Sequence, residues 1–299
     1  MTRALRWIKR GALALALLAA LVWCGASAYL YFKQGSVIYL PTRDLVKSPK
    51  DFGLAFENLR LPVKRANGKT ENVHAWWLPA QGTANAQGAV NAPNGFSVLF
   101  LHGNARNMGA NGNNEKIAVL ARAGFNVMTL DYRGFGQSDG DAPYEAALYE
   151  DAQAALDELK RRAPDAARRV LHGHSMGGAV AIDLAAKNPG AFAAALIEAT
   201  FSSMLDMSTV NPLYRLLPID SLLTERFESS RKIASLKLPV LFIHGSADAR
   251  IPPAMSRQLY ALATEPKSLI FVEGATHNNL HTFHQYGDAY RLLLGMARQ

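Results

Sequence analysis

The sequence predicts an α/β protein with a mostly parallel central sheet and helices on both faces. Three observations carry this: six short apolar runs follow one another along the chain, helical segments lie between them, and the composition suits one large domain. With 299 residues, 49% of them hydrophobic and 19% charged, the chain can bury a substantial core.

The runs are FSVLFLHG (96–103), FNVMTLDY (125–132), RRVLHGHS (168–175), AALIEAT (194–200), LPVLFIHG (238–245) and KSLIFVEG (267–274). Apolar without a break and closed by turn residues, they read as buried parallel strands. Between them lie EKIAVLARAG (115–124), YEAALYEDAQAALDELKRR (144–162), GGAVAIDLAAKN (177–188) and AMSRQLYALAT (254–264), with apolar residues at three- and four-residue spacing. Upstream, FENLRLPV (56–63) and NVHAWWLPA (72–80) predict an antiparallel pair at one edge. The Ala/Asn/Gly-rich stretch 81–95 reads as a solvated loop.

The amino terminus sets location. Residues 11–32 carry no charge, and as a helix they span roughly 33 Å, enough to cross a bilayer core. Arg3, Arg6, Lys9 and Arg10 precede the stretch, which predicts a cytoplasmic amino terminus and an exported remainder, with Trp23, Tyr29 and Tyr31 toward the outer interface. The expected organisation is therefore an anchor over 1–32 and a folded domain over 33–299. A cleaved secretory signal is the alternative, since Ala26-Ser27-Ala28 fits a cleavage site and would leave a secreted or periplasmic domain. A lipoprotein site at Cys24 is disfavoured by the bulk of Trp23. The formal net charge is +8, but those four basic residues account for half of it. No zinc finger, RNP motif or lysine run is present, so no nucleic-acid partner is expected. The single cysteine permits no internal disulfide.

The chemistry starts at Gly173-His174-Ser175-Met176-Gly177, a G-x-S-x-G pattern between a predicted strand and a predicted helix. A sharp turn there lifts the serine hydroxyl clear of the sheet, and glycines two residues to either side remove the collisions that side chains would cause. A serine hydroxyl is a poor nucleophile at neutral pH and needs a base, held in turn by a carboxylate. Asp248 directly follows one later strand, with Pro252-Pro253 placed to open the next helix. His277 follows another, behind Gly274. The chain order Ser, Asp, His is that of hydrolases with this elbow. The backbone amides of Asn104 and Met176 are the expected donors to a tetrahedral oxyanion.

Other candidates stay in view. Glu198 ends a strand and is an alternative acid. His281 and His284 are expected on the last helix, beyond His277, as surface or packing residues. His102, His174 and His244 end strands and are expected to support turns. Gly134-Phe135-Gly136 with Gly140 has the wrong spacing for a dinucleotide fingerprint and no helix start inside it. There is no P-loop and no H-E-x-x-H, and the chemistry calls for no cofactor or metal.

In this order, FLHGNARNMG, LDYRGFGQSDG, GHSMGGAVAIDLA, IEATFSS, LPVLFIHGSADARIPP and GATHNN resemble the membrane-anchored α/β-hydrolases related to the yeast bud-emergence hydrolase, which include animal lysophospholipid and thioester lipases. The resemblance runs from about Tyr39 to the end. It implies the α/β-hydrolase fold, Ser175 as nucleophile, Asp248 as acid, His277 as base, and Asn104 and Met176 as the oxyanion hole. The chain departs from it at His277-Asn278-Asn279, where relatives often carry an aspartate. In that fold the segment 201–230 is where a small cap is inserted. Its Leu213, Leu216, Leu217, Leu222 and Leu223 either line an acyl pocket or form a packing face. The substrate expected is an acyl ester, carboxylic or thio, with lysophospholipids and peptides as further classes. A catalytically silent binding module is the competing reading.

Overall fold

A computed structural model describes residues 3–65, 68–81, 83–84, 90–91 and 94–298. The sheet strands are β1 (Glu57–Lys64), β2 (Thr70–Leu78), β3 (Ser97–Leu101), β4 (Asn126–Asp131), β5 (Arg169–His174), β6 (Ala194–Glu198), β7 (Val240–Gly245) and β8 (Lys267–Val272). They pair in the order β8-β7-β6-β5-β3-β4-β2-β1. All neighbours from β4 to β8 are parallel, and β1 and β2 form the antiparallel edge. Each expected run is a strand, shortened by one or two residues where its end turns into a loop.

The helices are α1 (Arg3–Ile38), α2 (Asn113–Arg122), α3 (Glu145–Arg162), α4 (Met176–Lys187), α5 (Met204–Ser208), α6 (Ile219–Leu222), α7 (Ser229–Lys232), α8 (Pro253–Leu262) and α9 (His284–Met296). Successive strand side chains point to opposite faces, and β3 serves both: Leu99 and Leu101 join the core under α3, α4 and α8, while Val98 and Phe100 join the one under α2 and α9. In α3, Leu148, Ala152, Ala155 and Leu159 are buried at helical spacing. Glu145 in its first turn and Lys160, Arg161 and Arg162 in its last suit the helix dipole. Pro253 opens α8, where its missing N–H costs nothing.

Helix α1 has 36 residues and runs beyond the expected boundary at residue 32. Its charge-free stretch is exposed until Ala26; from there Ser27, Gln34 and Ile38 are buried on one face. The helix is long and apolar enough to be a candidate membrane span. In the stretch expected to be a solvated loop, Thr83–Ala84 pairs antiparallel with Val90–Asn91. Residues 82, 85–89 and 92–93 of that stretch lie outside the described residues.

Candidate active site

Ser175 stands between β5 and α4 with φ 56° and ψ −125°, in the left-handed region that a non-glycine residue occupies only when its surroundings force it. The surroundings do so. Its N–H donates to the Glu198 carbonyl at 2.9 Å, and its own carbonyl accepts from the Gly178 amide and the Thr200 hydroxyl. A Cβ at Gly173 would lie 2.3 Å from the Gly177 carbonyl oxygen, and one at Gly177 would lie 2.1 Å from that of Leu101. Both elbow glycines are therefore steric requirements. Gly178 is a third, because a Cβ there would lie 2.6 Å from the Thr200 side chain.

Ser175 Oγ lies 3.0 Å from His277 Nε2, and His277 Nδ1 lies 2.7 Å from Asp248 Oδ2. A carboxylate only accepts, so Nδ1 carries the proton and Nε2 presents its lone pair to the hydroxyl. Asp248 Oδ1 accepts the backbone amides of Arg250 and Ile251 at 2.8 and 3.0 Å. Burial alone would raise its pKa. Hydrogen bonds from His244 and His277, the charge that His277 can carry and the Ile251 amide outweigh burial and hold the carboxyl well below its usual range. Gly274 adopts φ +72°, which turns the chain after β8. The Thr276 amide donates to Asn279 Oδ1 at 2.7 Å, so the asparagine at the atypical position closes the turn that carries His277.

The flanking histidines have defined places. His244 Nε2 faces two acceptors, the Ile251 carbonyl at 3.0 Å and Asp248 Oδ2 at 3.1 Å, so it carries a proton, and Nδ1 accepts from Ser256 Oγ. It supports the turn as expected and also bonds the carboxylate, which its position at a strand end did not reveal. His174 Nε2 donates to the His277 carbonyl at 3.1 Å. Burial, with the nearby Lys116 charge, pushes its pKa well down and keeps the ring neutral. His102 Nδ1 bonds the Gly103 carbonyl at 2.8 Å.

Two expectations need correction. Glu198 does not meet His277: it is buried and accepts from Lys116 Nζ at 2.6 Å, His172 Nε2 at 2.8 Å and the Tyr286 hydroxyl at 3.3 Å. His281 does not lie on the last helix, whereas His284 does, and His277 lies in a loop before both. A short 3₁₀ turn, Leu280–Thr282, holds His281, and His284 opens α9. The 134–140 glycines shape a tight loop, where a Cβ at Gly136 would strike the Asp131 carboxylate, and no helix starts there.

Ser175 and His277, with Asn104 and Met176, line a cavity of about 310 Å³. Met176 is the first residue of α4, so its amide has no partner within the helix. Asn104 is held from behind: its carbonyl accepts the Leu40 amide at 2.9 Å, and its Nδ2 donates to the Ile38 carbonyl at 2.6 Å. Phe201, Met204, Met207, Ile219, Leu222 and Leu223 supply the cap side of the lining. Among the five cap leucines named from sequence, Leu222 and Leu223 line the cavity, and Leu213 and Leu216 are exposed. The short cap helices have no sustained period from which to sort them.

A second part of the lining has no counterpart among the expected site residues: Leu30, Gln34, Val37 and Ile38 of α1 line the cavity. Gln34 joins helix to cap. Its Oε1 accepts the Thr224 and Glu225 amides at 2.9 and 3.2 Å, and its Nε2 donates to the Leu222 carbonyl at 3.2 Å. A lone amide side chain among the apolar residues near the end of α1 is the one signal of it in the sequence.

A mostly parallel sheet edged by an antiparallel pair, with a strained serine on the turn after its central strand, defines an α/β-hydrolase. The chain belongs to the α/β-hydrolase family that includes the Schizosaccharomyces pombe protein bem46, to which it is 33% identical over 263 residues, 85% of this chain and 83% of the relative. The family described as serine aminopeptidase, S33, matches residues 93–233. An esterase of Pyrococcus furiosus has a similar fold, with a TM-score of 0.66 and 18% identity over 86% of this chain and 98% of that one. A puromycin-hydrolyzing peptidase of Mycobacterium tuberculosis is also similar, with a TM-score of 0.58 and 20% identity over 82% of this chain and 39% of that one.

Proposed function

We propose that this hydrolase cleaves acyl esters, carboxylic or thio, through an acyl-enzyme, and that α1 tethers it to a membrane. The observation that carries the reading is the unbroken line from Ser175 Oγ through His277 to Asp248, beside a largely apolar cavity. His277 Nε2 takes the hydroxyl proton as Oγ attacks the carbonyl carbon. The Met176 and Asn104 amides receive the oxyanion, and His277 returns the proton to the leaving group. Water, deprotonated by the same imidazole, then attacks the acyl carbon and frees Ser175. Asp248 fixes the tautomer and steadies the imidazolium.

Among the described lining residues none is a carboxylate, and an aminopeptidase needs one to hold a free α-amino group. This favours an ester over the free amino terminus of a peptide. The full chain, incubated with a fluorophosphonate probe and with nitrophenyl esters, is expected to label and to turn over. Ser175→Ala is expected to abolish both. Absence of labelling and turnover in the wild type leaves the silent binding module as the reading.

The orientation proposed is an uncleaved anchor with its amino terminus cytoplasmic and the hydrolase domain exported. Supporting an uncleaved anchor, Trp23 Nε1 donates to the Leu216 carbonyl of the cap at 2.7 Å, a contact that cleavage after Ala28 would remove. A mature amino terminus at Tyr29, or a carboxyl-terminal reporter active only in the cytoplasm, overturns it.

A further inference from the structure

The cap edge meets the anchor at Trp23, and each presents an exposed apolar surface. Leu213 and Leu216 are 68% and 70% exposed. They lie in the 3₁₀ turn Pro212–Leu216, and the Leu216 carbonyl is the acceptor for Trp23. On the anchor side, Leu17, Leu18, Leu21 and Val22 are exposed too. Water is a poor partner for so many exposed apolar side chains.

The length of α1 sets the depth of this surface. Hydrocarbon about 30 Å thick takes roughly 20 helical residues. Counted from Arg10, the last of the basic residues, that reaches about residue 30. Trp23 is only about 20 Å along, so it lies roughly 10 Å inside the far boundary. Tilting the helix would place it deeper still. Because Trp23 is bonded to the cap, the cap edge must lie at the same depth. The charged residues nearby suit this placement. Asp220 pairs with Arg226 at 2.6 Å, and Arg215 has a stem long enough to carry its guanidinium up to the headgroups.

We propose that the cap edge at Leu213 and Leu216 is immersed in the bilayer leaflet on the side of the hydrolase domain, and that the substrate is a lipid resident in that leaflet. This rests on the reading of α1 as a span and of the cavity as an acyl site. The α1 wall of the cavity begins at Leu30 and ends at Ile38, beside Asn104, so it covers about 12 Å and starts where the hydrocarbon stops. An acyl chain lying along α1 passes from the leaflet into the cavity without crossing water, and its ester reaches Ser175 on the aqueous side.

The test uses the full chain in phosphatidylcholine vesicles, with Cys24→Ser and one new cysteine carrying a polarity-sensitive fluorophore. Labels at Leu213→Cys and Leu216→Cys are expected to be quenched by lipids brominated on the acyl chain. A label at Ala167→Cys, in the exposed turn before β5, is expected to stay unquenched. Equal, solvent-like behaviour at all three positions overturns the proposal. In the double variant Leu213→Asp/Leu216→Asp, hydrolysis of a bilayer-dissolved long-chain ester is expected to fall about tenfold or more, with a soluble butyrate ester spared. Unchanged hydrolysis of the bilayer ester also overturns it. Quenching reads depth alone, so a wild-type chain that hydrolyses neither ester sinks the hydrolase reading and leaves the membrane placement standing.

Discussion

His174 Nε2 donates to the carbonyl oxygen of His277 at 3.1 Å, so the residue just before the serine holds the loop that carries His277. The two rings lie 5.1 Å apart, and the contact bridges 103 residues of sequence.

Removing this tie is expected to impair the alignment of His277 more than substrate capture. His174→Ala should lower kcat about tenfold, the value of roughly one buried hydrogen bond, with KM little changed. His174→Gln, which keeps a donor, should recover part of the loss. Steady-state kinetics on a soluble ester decides it; a kcat within twofold of wild type for the alanine variant would show that the loop holds itself.

Asp248 makes stability depend on pH in a definite direction. Its folded pKa is depressed, so its contribution is complete above the unfolded value of about 3.9 and is lost as the pH falls through the folded value. Compared with Asp248→Asn, the wild type should lose more of its stability between about pH 6 and pH 3. Denaturant midpoints at the two pH values measure this, and a gap that stays constant contradicts it. The same variant should lose about ten-thousand-fold in turnover, since its tautomer partner is wrong.

Lys116 and Glu198 are both buried and 2.6 Å apart. Burial pulls the lysine pKa down, while the Lys116 charge and the hydrogen bond from His172 hold Glu198 ionised against its own burial. Lys116→Met leaves an uncompensated carboxylate and is expected to cost roughly 3–5 kcal/mol. Lys116→Met/Glu198→Gln should regain much of it. Thermal unfolding of the single and double variants gives the coupling, and strictly additive losses would show that the pair does not act as one unit.

The α1 wall predicts a change of selectivity. Leu30→Trp fills the end of the cavity distant from Ser175 and should lower kcat/KM for long-chain nitrophenyl esters about tenfold, with short-chain esters spared. A uniform fall across chain lengths would place Leu30 outside the acyl path.

Much of the fold and the site is legible in the sequence, for particular reasons. Buried parallel strands appear as unbroken apolar runs, so β3 to β8 stand out along the chain. Ser175, Asp248 and His277 each follow such a run, and tight turns need glycine at identifiable places, as at Gly173 and Gly177. The wall formed by Leu30 and Gln34 is hidden, because an apolar helix looks the same whether its last turns stay in lipid or pack on a distant cap. The bond from Gln34 to Thr224 crosses 190 residues, and no local pattern encodes it. His244 is hidden likewise, since its hydrogen bond to Asp248 depends on how the loop after β7 folds back.

By itself the sequence determined what depends on neighbours along the chain: strand and helix periods, the glycines a sharp turn demands, the charge-free length of α1, and the order in which serine, carboxylate and imidazole arrive. Tertiary structure alone decided which loops meet. It placed His277 between Ser175 and Asp248, turned Glu198 away toward Lys116, and drew the end of α1 into the wall of the cavity. Periodicity and sterics act over a few residues, whereas those contacts arise only when parallel strands carry distant loops to the same edge of the sheet.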